Sequence, residues 1–420
     1  MSVYYKMCSI VILLIIGQVG AIGQERCGED WISMQAASMV PDYEQRVTNN
    51  TKRLREAIRS EGLTIREPMI IPIVVHVVYN NDNEKISESQ VLSQIEQLNA
   101  DYEHLIIPST IPAEFAHTWQ DAGIRFCLAA RDPEGNPTNG IVYRQTSVKN
   151  IGIKTNGQGR KFIHHNYLGG SDAWPTSRYL NIWVCRLDEY LGYATGPDNI
   201  AFSDEDGVVI NYSNFGNIGT VDPKSRYNMG RTATHEVGHY LGLLHLWGKN
   251  ASGCGDDLVE DTPQQGTPHY ECPDYPQLSC FTSNMFMNFM DYVNDPCMYF
   301  FSKGQGERMR ATVRTFRPGL LSGGLTACDT SDIATTPLKD RIRLKSTLVD
   351  GFITLLQTRP GNEVLQIELF DESGRLIKKY TKIPQSEFNL YYDRMLSPGM
   401  YFLRISTKDE HTTLKVFIKG

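Results

Sequence analysis

The sequence has no excess of basic charge. Lysine and arginine number 41 against 48 aspartates and glutamates, a net −7. That argues against a general nucleic-acid binder and gives no membrane-surface signal. It has no apolar run long enough to cross a bilayer core of about 30 Å. The early run Ile10–Ile16 follows Lys6 and precedes the small residues Ala21 and Gly23. It reads as a secretory signal over residues 1–23, cut after Gly23. Tight C-x-x-C pairs are absent, so the cysteines do not spell a structural zinc site. Internal repeats and low-complexity tracts are absent too.

What is present divides the chain. A length of 420 residues suggests two or three domains. Residues 24–66 are polar, helical in places and rich in arginine, from Arg26 to Arg66. Over 67–325 the pattern is mixed α and β. "MIIPIVVHVVYN" (69–80) is a buried strand, and 87–105 is an amphipathic helix with Ser87 and Gln90 as a capping box. Strands follow at "GIRFCLAA", "GIVYRQT", "YLNIWVCRL" and "GVVINYS", and a helix at 302–316. Periodicity is lost from 250 to 300. Without Cys8, eight cysteines remain, and four of them (Cys254, Cys272, Cys280 and Cys297) fall in that stretch. An exported chain can staple such a loop with disulfides. Residues 326–337 read as a linker, and 338–420 as a small all-β sandwich with turn signals between alternating strands.

The chemistry sits in "THEVGHYLGLLHLWG" (234–248). A buried helix tolerates one histidine, but three with a carboxylate beside the first need another reason. His235 and His239 are four apart, so both imidazoles leave one face of a helix. That spacing lets two nitrogens stand roughly 2.0–2.1 Å from one metal ion. Glu236 is offset by about 100° and can reach a metal-bound water without being a ligand. His245 would point away if the helix continued; Gly242 can take positive φ, end the helix and let His245 return. Three neutral ligands leave the fourth position of a catalytic zinc site for water. Zinc lowers the pKa of that water toward about 7 and polarises a carbonyl. Glu236 then acts as general base, and the reaction class is peptide-bond hydrolysis.

This motif resembles the extended zinc signature of the metzincin metalloproteases. "NFMDYVNDPCMYFFSKGQGERMR" (288–310), "DTP" (261–263), "LGYATGP" (191–197) and "DGVVINYSNFG" (206–216) resemble the pappalysin family within that clan. The resemblance covers roughly residues 67–320. It implies an α+β zincin fold, a mixed twisted sheet with long helices and a cysteine-stapled C-terminal subdomain. His235, His239 and His245 would bind zinc, with Glu236 as the base. Met290 would be a hydrophobic pedestal, and Tyr292 would donate a hydrogen bond to the oxyanion. Asp295 would floor the S1′ pocket and favour Arg or Lys after the scissile bond. The resemblance pairs Cys254 with Cys280 and Cys272 with Cys297, where sequence alone allows three pairings. It also implies calcium near "GDDLVEDTP" (255–263), with Asp257, the Glu260 carbonyl and Thr262 as candidate ligands. Cys27 in "RCG" would be a latency switch on the zinc, the alternative being a disulfide, for example with Cys328. Activation would then need a cut within 50–67, whose arginines suit autolysis.

Residues 338–420 resemble the C-terminal sorting domain of type IX secretion, in "IELFDESGRLIKKY", "LSPGMYFLRIS" and "LKVFIKG". That implies a Bacteroidota-type bacterium, type IX machinery as partner, and release or surface attachment. The alternative is an adhesion-like sandwich that binds substrate or carbohydrate. "NNT", "NYS" and "NAS" are read as chance glycosylation matches. The whole chain therefore reads as a secreted zinc endopeptidase made as a latent zymogen and acting on protein or peptide substrates. The competing readings are a surface-binding or adhesin protein on a protease-like scaffold, and a structural metal site in a cell-wall module.

Overall fold

Residues 24–61 open the structure with two helices, α1 (Glu29–Met39) and α2 (Tyr43–Glu61). The computed structural model describes residues 24–61, 68–103, 111–249, 253–321, 328, 338–357, 365–382, 387–392, 396–407 and 410–419. The expected signal segment, residues 62–67 and most of the expected linker lie outside the described residues.

The β-branched run at 69–80 forms β1 (Met69–Tyr79). Ile71, Ile73, Val75 and Val77 face one apolar layer, and Val74 and Val78 face the other side. Burial on both faces is why this strand reads as a continuous apolar run rather than an alternation. Strands β2 (Ile124–Leu128) and β3 (Ile141–Gln145) share one edge of β1, both parallel to it, in registers Met69↔Ile124 and Val75↔Ile141. On the other side follow β4 (Leu180–Cys185), then β6 (Val208–Asn211), and at the rim β5 (Gly192–Ala194), antiparallel to β6.

Helix α3 (Glu88–Tyr102) packs Val91, Ile95, Leu98 and Tyr102 into the main core beneath this sheet. Its capping box is half formed. Ser87 accepts the Gln90 N–H at 3.2 Å, but the Gln90 side chain is buried: its oxygen accepts the Thr220 N–H at 3.0 Å instead, and its amide donates to the Phe215 carbonyl at 2.8 Å. Helix α4 (Arg231–Tyr240) lies alongside. Tyr102 donates to the Thr234 carbonyl at 3.3 Å, and Thr234 to Asp101 at 2.7 Å, stitching the two helices. The stretch after 250 carries one short hairpin, β7 (Leu278–Ser279) and β8 (Thr282–Ser283), before α5 (Lys303–Phe316). The disulfides Cys254–Cys280 and Cys272–Cys297 hold that stretch. A third, Cys127–Cys328, joins β2 to the chain beyond α5. Cys328 therefore does not pair with Cys27; among the described cysteines Cys27 and Cys185 are free and buried.

The C-terminal region is all-β apart from a helical turn at Leu338–Arg341. Its strands are β9 (Ile342–Leu344), β10 (Leu348–Val349), β11 (Phe352–Gln357), β12 (Leu365–Asp371), β13 (Leu376–Lys382), β14 (Glu387–Tyr391), β15 (Gly399–Ser406) and β16 (His411–Ile418). They form sheets ordered β10-β16-β15-β12-β13 and β14-β11-β9, closed over one core that includes Ile353, Leu355, Ile367, Leu369, Leu403 and Ile405. No described helix is long and apolar enough to cross a membrane.

Candidate metal centre

Helix α4 ends as its sequence dictates. Gly242 adopts a φ of +86°; its N–H bonds the His239 carbonyl at 2.9 Å, and the Leu243 N–H bonds the Gly238 carbonyl at 3.0 Å. This paired pattern is the Schellman ending that a glycine at this position permits. The reversed chain brings His245 back against the two helical histidines. The three Nε2 atoms stand 3.1, 3.1 and 3.3 Å apart.

Those distances test the fit of a zinc ion. Tetrahedral nitrogen donors roughly 2.05 Å from one ion lie about 3.3 Å from each other. Two of the rings have their other nitrogen committed: His235 Nδ1 pairs with the Phe289 carbonyl at 2.7 Å and His239 Nδ1 with the Leu243 carbonyl at 2.9 Å. Such bonds fix the tautomer and aim the Nε2 lone pair at the centre. Burial pushes all three imidazoles down, His239 to about 4, so they are neutral donors. Three converging lone pairs without a proton between them repel unless a cation sits among them. The donor set fits zinc.

Met290 is buried. A Cβ on Gly238 would stand 2.6 Å from the Met290 sulfur, so the glycine makes room for it. Glu236 is buried on the cleft side; burial pushes its carboxyl up to about 8, and its Oε1 has no hydrogen-bond partner. Tyr292 brings its hydroxyl to 3.1 Å from His245 Nε2.

The N-terminal segment enters this cleft. Glu25 N–H bonds the Glu189 carbonyl at 2.8 Å, Leu191 N–H the Glu25 carbonyl at 2.9 Å, and Gly28 N–H the Gly192 carbonyl at 2.9 Å. Cys27 is thereby held over the histidines, its sulfur and their nitrogens all within 4.8 Å of one another. Its thiol donates to Glu236 Oε2 at 3.5 Å. Burial, and then the Glu236 charge, push this thiol well above its ordinary value; a neighbouring metal cation is what favours a thiolate.

Arg26 beside it is buried and pairs with Asp295 at 3.3 Å. Its guanidinium lies 4.4 Å from the centre of the Tyr227 ring. Asp295 also accepts the N–H groups of Met229 at 2.9 Å and Arg231 at 3.3 Å. Sequence reading named Asp295 and Cys27 but not Arg26, Tyr227 or Gly238 as parts of the site. The signal available was an arginine directly beside the candidate switch cysteine, opposite a candidate acidic pocket.

In the 255–263 loop, Asp257 is buried and accepts the Thr262 hydroxyl at 2.8 and 2.9 Å, while Glu260 is exposed. Burial pushes Asp257 up to about 7.

Comparison with known proteins follows the same lines. Residues 165–314 match an M43 peptidase family model described as Pregnancy-associated plasma protein-A, and 336–419 match a secretion system C-terminal sorting domain. An extracellular metalloprotease of Arthroderma gypseum is 30% identical over 273 residues, covering 63% of this chain and 79% of its own length. A promirolysin mutant of Tannerella forsythia is 40% identical with a TM-score of 0.65, over 73% of this chain and 100% of that one. Mature mirolysin from the same organism, in complex with a cleaved peptide, is 43% identical with a TM-score of 0.56, over 64% of this chain and 99% of that one.

Proposed function

We propose a latent-precursor mechanism for this chain, which belongs to the pappalysin (M43 peptidase) family and is an exported zinc metalloprotease. The division proposed is a signal at 1–23, a latency segment at 24–66, a catalytic part at 67–325, a linker at 326–337 and a sorting domain at 338–420. His235, His239 and His245 hold the zinc. When bound, the ion supplies Lewis-acid polarisation of the scissile carbonyl and acidifies a water. Cys27 fills the remaining donor position and keeps substrate out.

One observation carries this reading: the Cys27 sulfur lies among the three imidazoles while Arg26, next in the chain, pairs with Asp295. Latency and specificity are then two aspects of one fit. Arg26 occupies the pocket that a substrate's Arg or Lys enters once the segment leaves, and Asp295 receives that cation. The proform name of the 40% identical promirolysin supports the latent state.

After release, Glu236 takes the proton of the attacking water and delivers it to the leaving nitrogen. Tyr292, beside His245, donates a hydrogen bond to the carbonyl oxygen as negative charge develops there. Calcium at the 255–263 loop, through Asp257, Glu260 and Thr262, is a further part of the proposal. It is supported by the convergence of the Asp257 carboxylate and Val259 carbonyl on the Thr262 hydroxyl, at 2.8–2.9 Å.

The test compares full-length precursor with and without Cys27→Ala, and processed enzyme with and without Glu236→Ala. The Cys27→Ala precursor is expected to cleave a peptide library before any processing, with Arg or Lys enriched at P1′. Glu236→Ala is expected to lose cleavage while retaining zinc. A silent Cys27→Ala precursor whose processed form is fully active overturns the switch. Full activity in Glu236→Ala overturns the base, and a flat P1′ profile overturns the role of Asp295.

A further inference from the structure

Asp291 lies between the pedestal Met290 and Tyr292. It is buried, and four donors meet its carboxylate. Oδ1 accepts the N–H of Tyr292 at 2.7 Å and that of His269 at 2.8 Å. Oδ2 accepts from the Gln265 amide at 2.7 Å and faces His269 Nδ1 at 3.0 Å. With the proton on Nδ1, the His269 ring donates to Asp291 and offers Nε2 as acceptor. The Asn284 amide stands 3.3 Å from that nitrogen. Asn284 in turn accepts the Ser279 N–H at 3.1 Å and hydroxyl at 2.9 Å, one residue before the bridged Cys280.

The Asp291 side chain thus anchors the turn carrying Tyr292 to the stretch around His269, where the Asn294 N–H to Glu271 carbonyl bond at 2.8 Å and the Cys272–Cys297 disulfide also hold it. The same unit brackets the phenol from its outer side, since the Tyr270 ring lies 6.0 Å from that of Tyr292. Charge-assisted hydrogen bonds to a buried carboxylate are short and directional, so they fix the backbone that holds the phenol.

We infer that His269 is a positioning residue for Tyr292, acting through Asp291 to set where the phenol stands beside the reacting carbonyl. The inference rests on the role proposed above for Tyr292. It gives the stapled stretch a part in the reaction that its loop-like sequence does not announce.

The experiment measures kcat and KM of the processed enzyme on one peptide substrate. The variants are His269→Ala, His269→Asn, His269→Gln, Tyr292→Phe and the double variant His269→Ala/Tyr292→Phe, each with zinc content determined. His269→Ala is expected to lower kcat about tenfold, the effect of roughly one charge-assisted hydrogen bond, with KM and zinc unchanged. His269→Asn, whose amide N–H can stand where Nδ1–H stood, is expected to recover most of kcat. His269→Gln, whose amide reaches the Nε2 position, is expected not to. The double variant should be no slower than Tyr292→Phe alone. If His269→Ala does not fold, the contrast between the Asn and Gln variants carries the same test. A loss that persists undiminished in the Tyr292→Phe background, or an equal loss in Asn and Gln variants, overturns the inference alone. Full kcat in Tyr292→Phe overturns the role of Tyr292 and the inference with it.

Discussion

Gly242 is held at a φ of +86°, and a Cβ placed there would stand 2.5 Å from the Thr312 hydroxyl oxygen. Gly242→Ala therefore meets both a left-handed backbone, costing roughly 1–2 kcal/mol, and a clash. It is expected to lower the unfolding temperature and the zinc content together, because His245 depends on this turn. Calorimetry with metal analysis checks it; a stable variant with full zinc would deny the turn its role. Asp295 is the second residue where a small change separates two effects. Asp295→Asn removes the charge but keeps acceptors for the Met229 and Arg231 N–H groups. The processed variant is expected to lose at least about tenfold in kcat/KM for a basic P1′ residue, with little change for an apolar one, read from paired peptides.

Strand β1 was legible from its sequence because it is buried on both faces, but its one histidine was not. His76 is buried between Ser171 Oγ at 2.9 Å and Asn181 Oδ1 at 3.0 Å, and burial lowers it to about 4. Its folded value lies below that of an unfolded histidine, about 6.5. The stabilising contribution is therefore complete above pH 6.5 and lost as pH falls through about 4. Between pH 7 and 4 the loss is about 3 kcal/mol. His76→Gln is expected to remove this acid sensitivity, so that the stability gap between wild type and variant narrows as the pH falls; parallel denaturant titrations test it. Helix α3 shows the converse. Its apolar spacing gave the helix, but Gln90 left its local capping role because its side-chain oxygen accepts the Thr220 N–H at 3.0 Å while its amide pairs the buried Phe215 carbonyl.

At the scale of the molecule, residues 24–61 bind the body at points far apart in sequence. Cys27 meets the histidines, Tyr43 donates to Asn199 at 2.7 Å, Asn50 to Asp198 at 2.8 Å, and Arg53 lies over Phe316. A cut beyond α2 leaves all of these contacts intact. A peptide of residues 24–61 is therefore expected to inhibit processed enzyme in trans, and its Cys27→Ser form to inhibit at least about tenfold less, as a lost metal-directed donor predicts. Equal inhibition by both would mean that the helices alone close the cleft. The Cys127–Cys328 disulfide makes a second expectation. A cut within 322–327 leaves the sorting domain joined to β2 until reduction, whereas a cut beyond 328 frees it. Gels run with and without reductant, on chain cut at either place, distinguish the two.

Local spacing was enough for the helical pair His235 and His239, the glycine that ends α4, the buried strand and the alternating strands after 338. Each depends on a periodicity of 3.6 or 2 residues, or on one backbone conformation, and these are written in adjacent residues. The entry of Arg26 and Cys27 and the anchoring of Tyr292 through His269 depend on distances between residues 22 to 269 positions apart. No periodicity encodes such distances. They are set when the sheet, α4 and the stapled stretch pack around one core, where burial favours the pairing of polar groups.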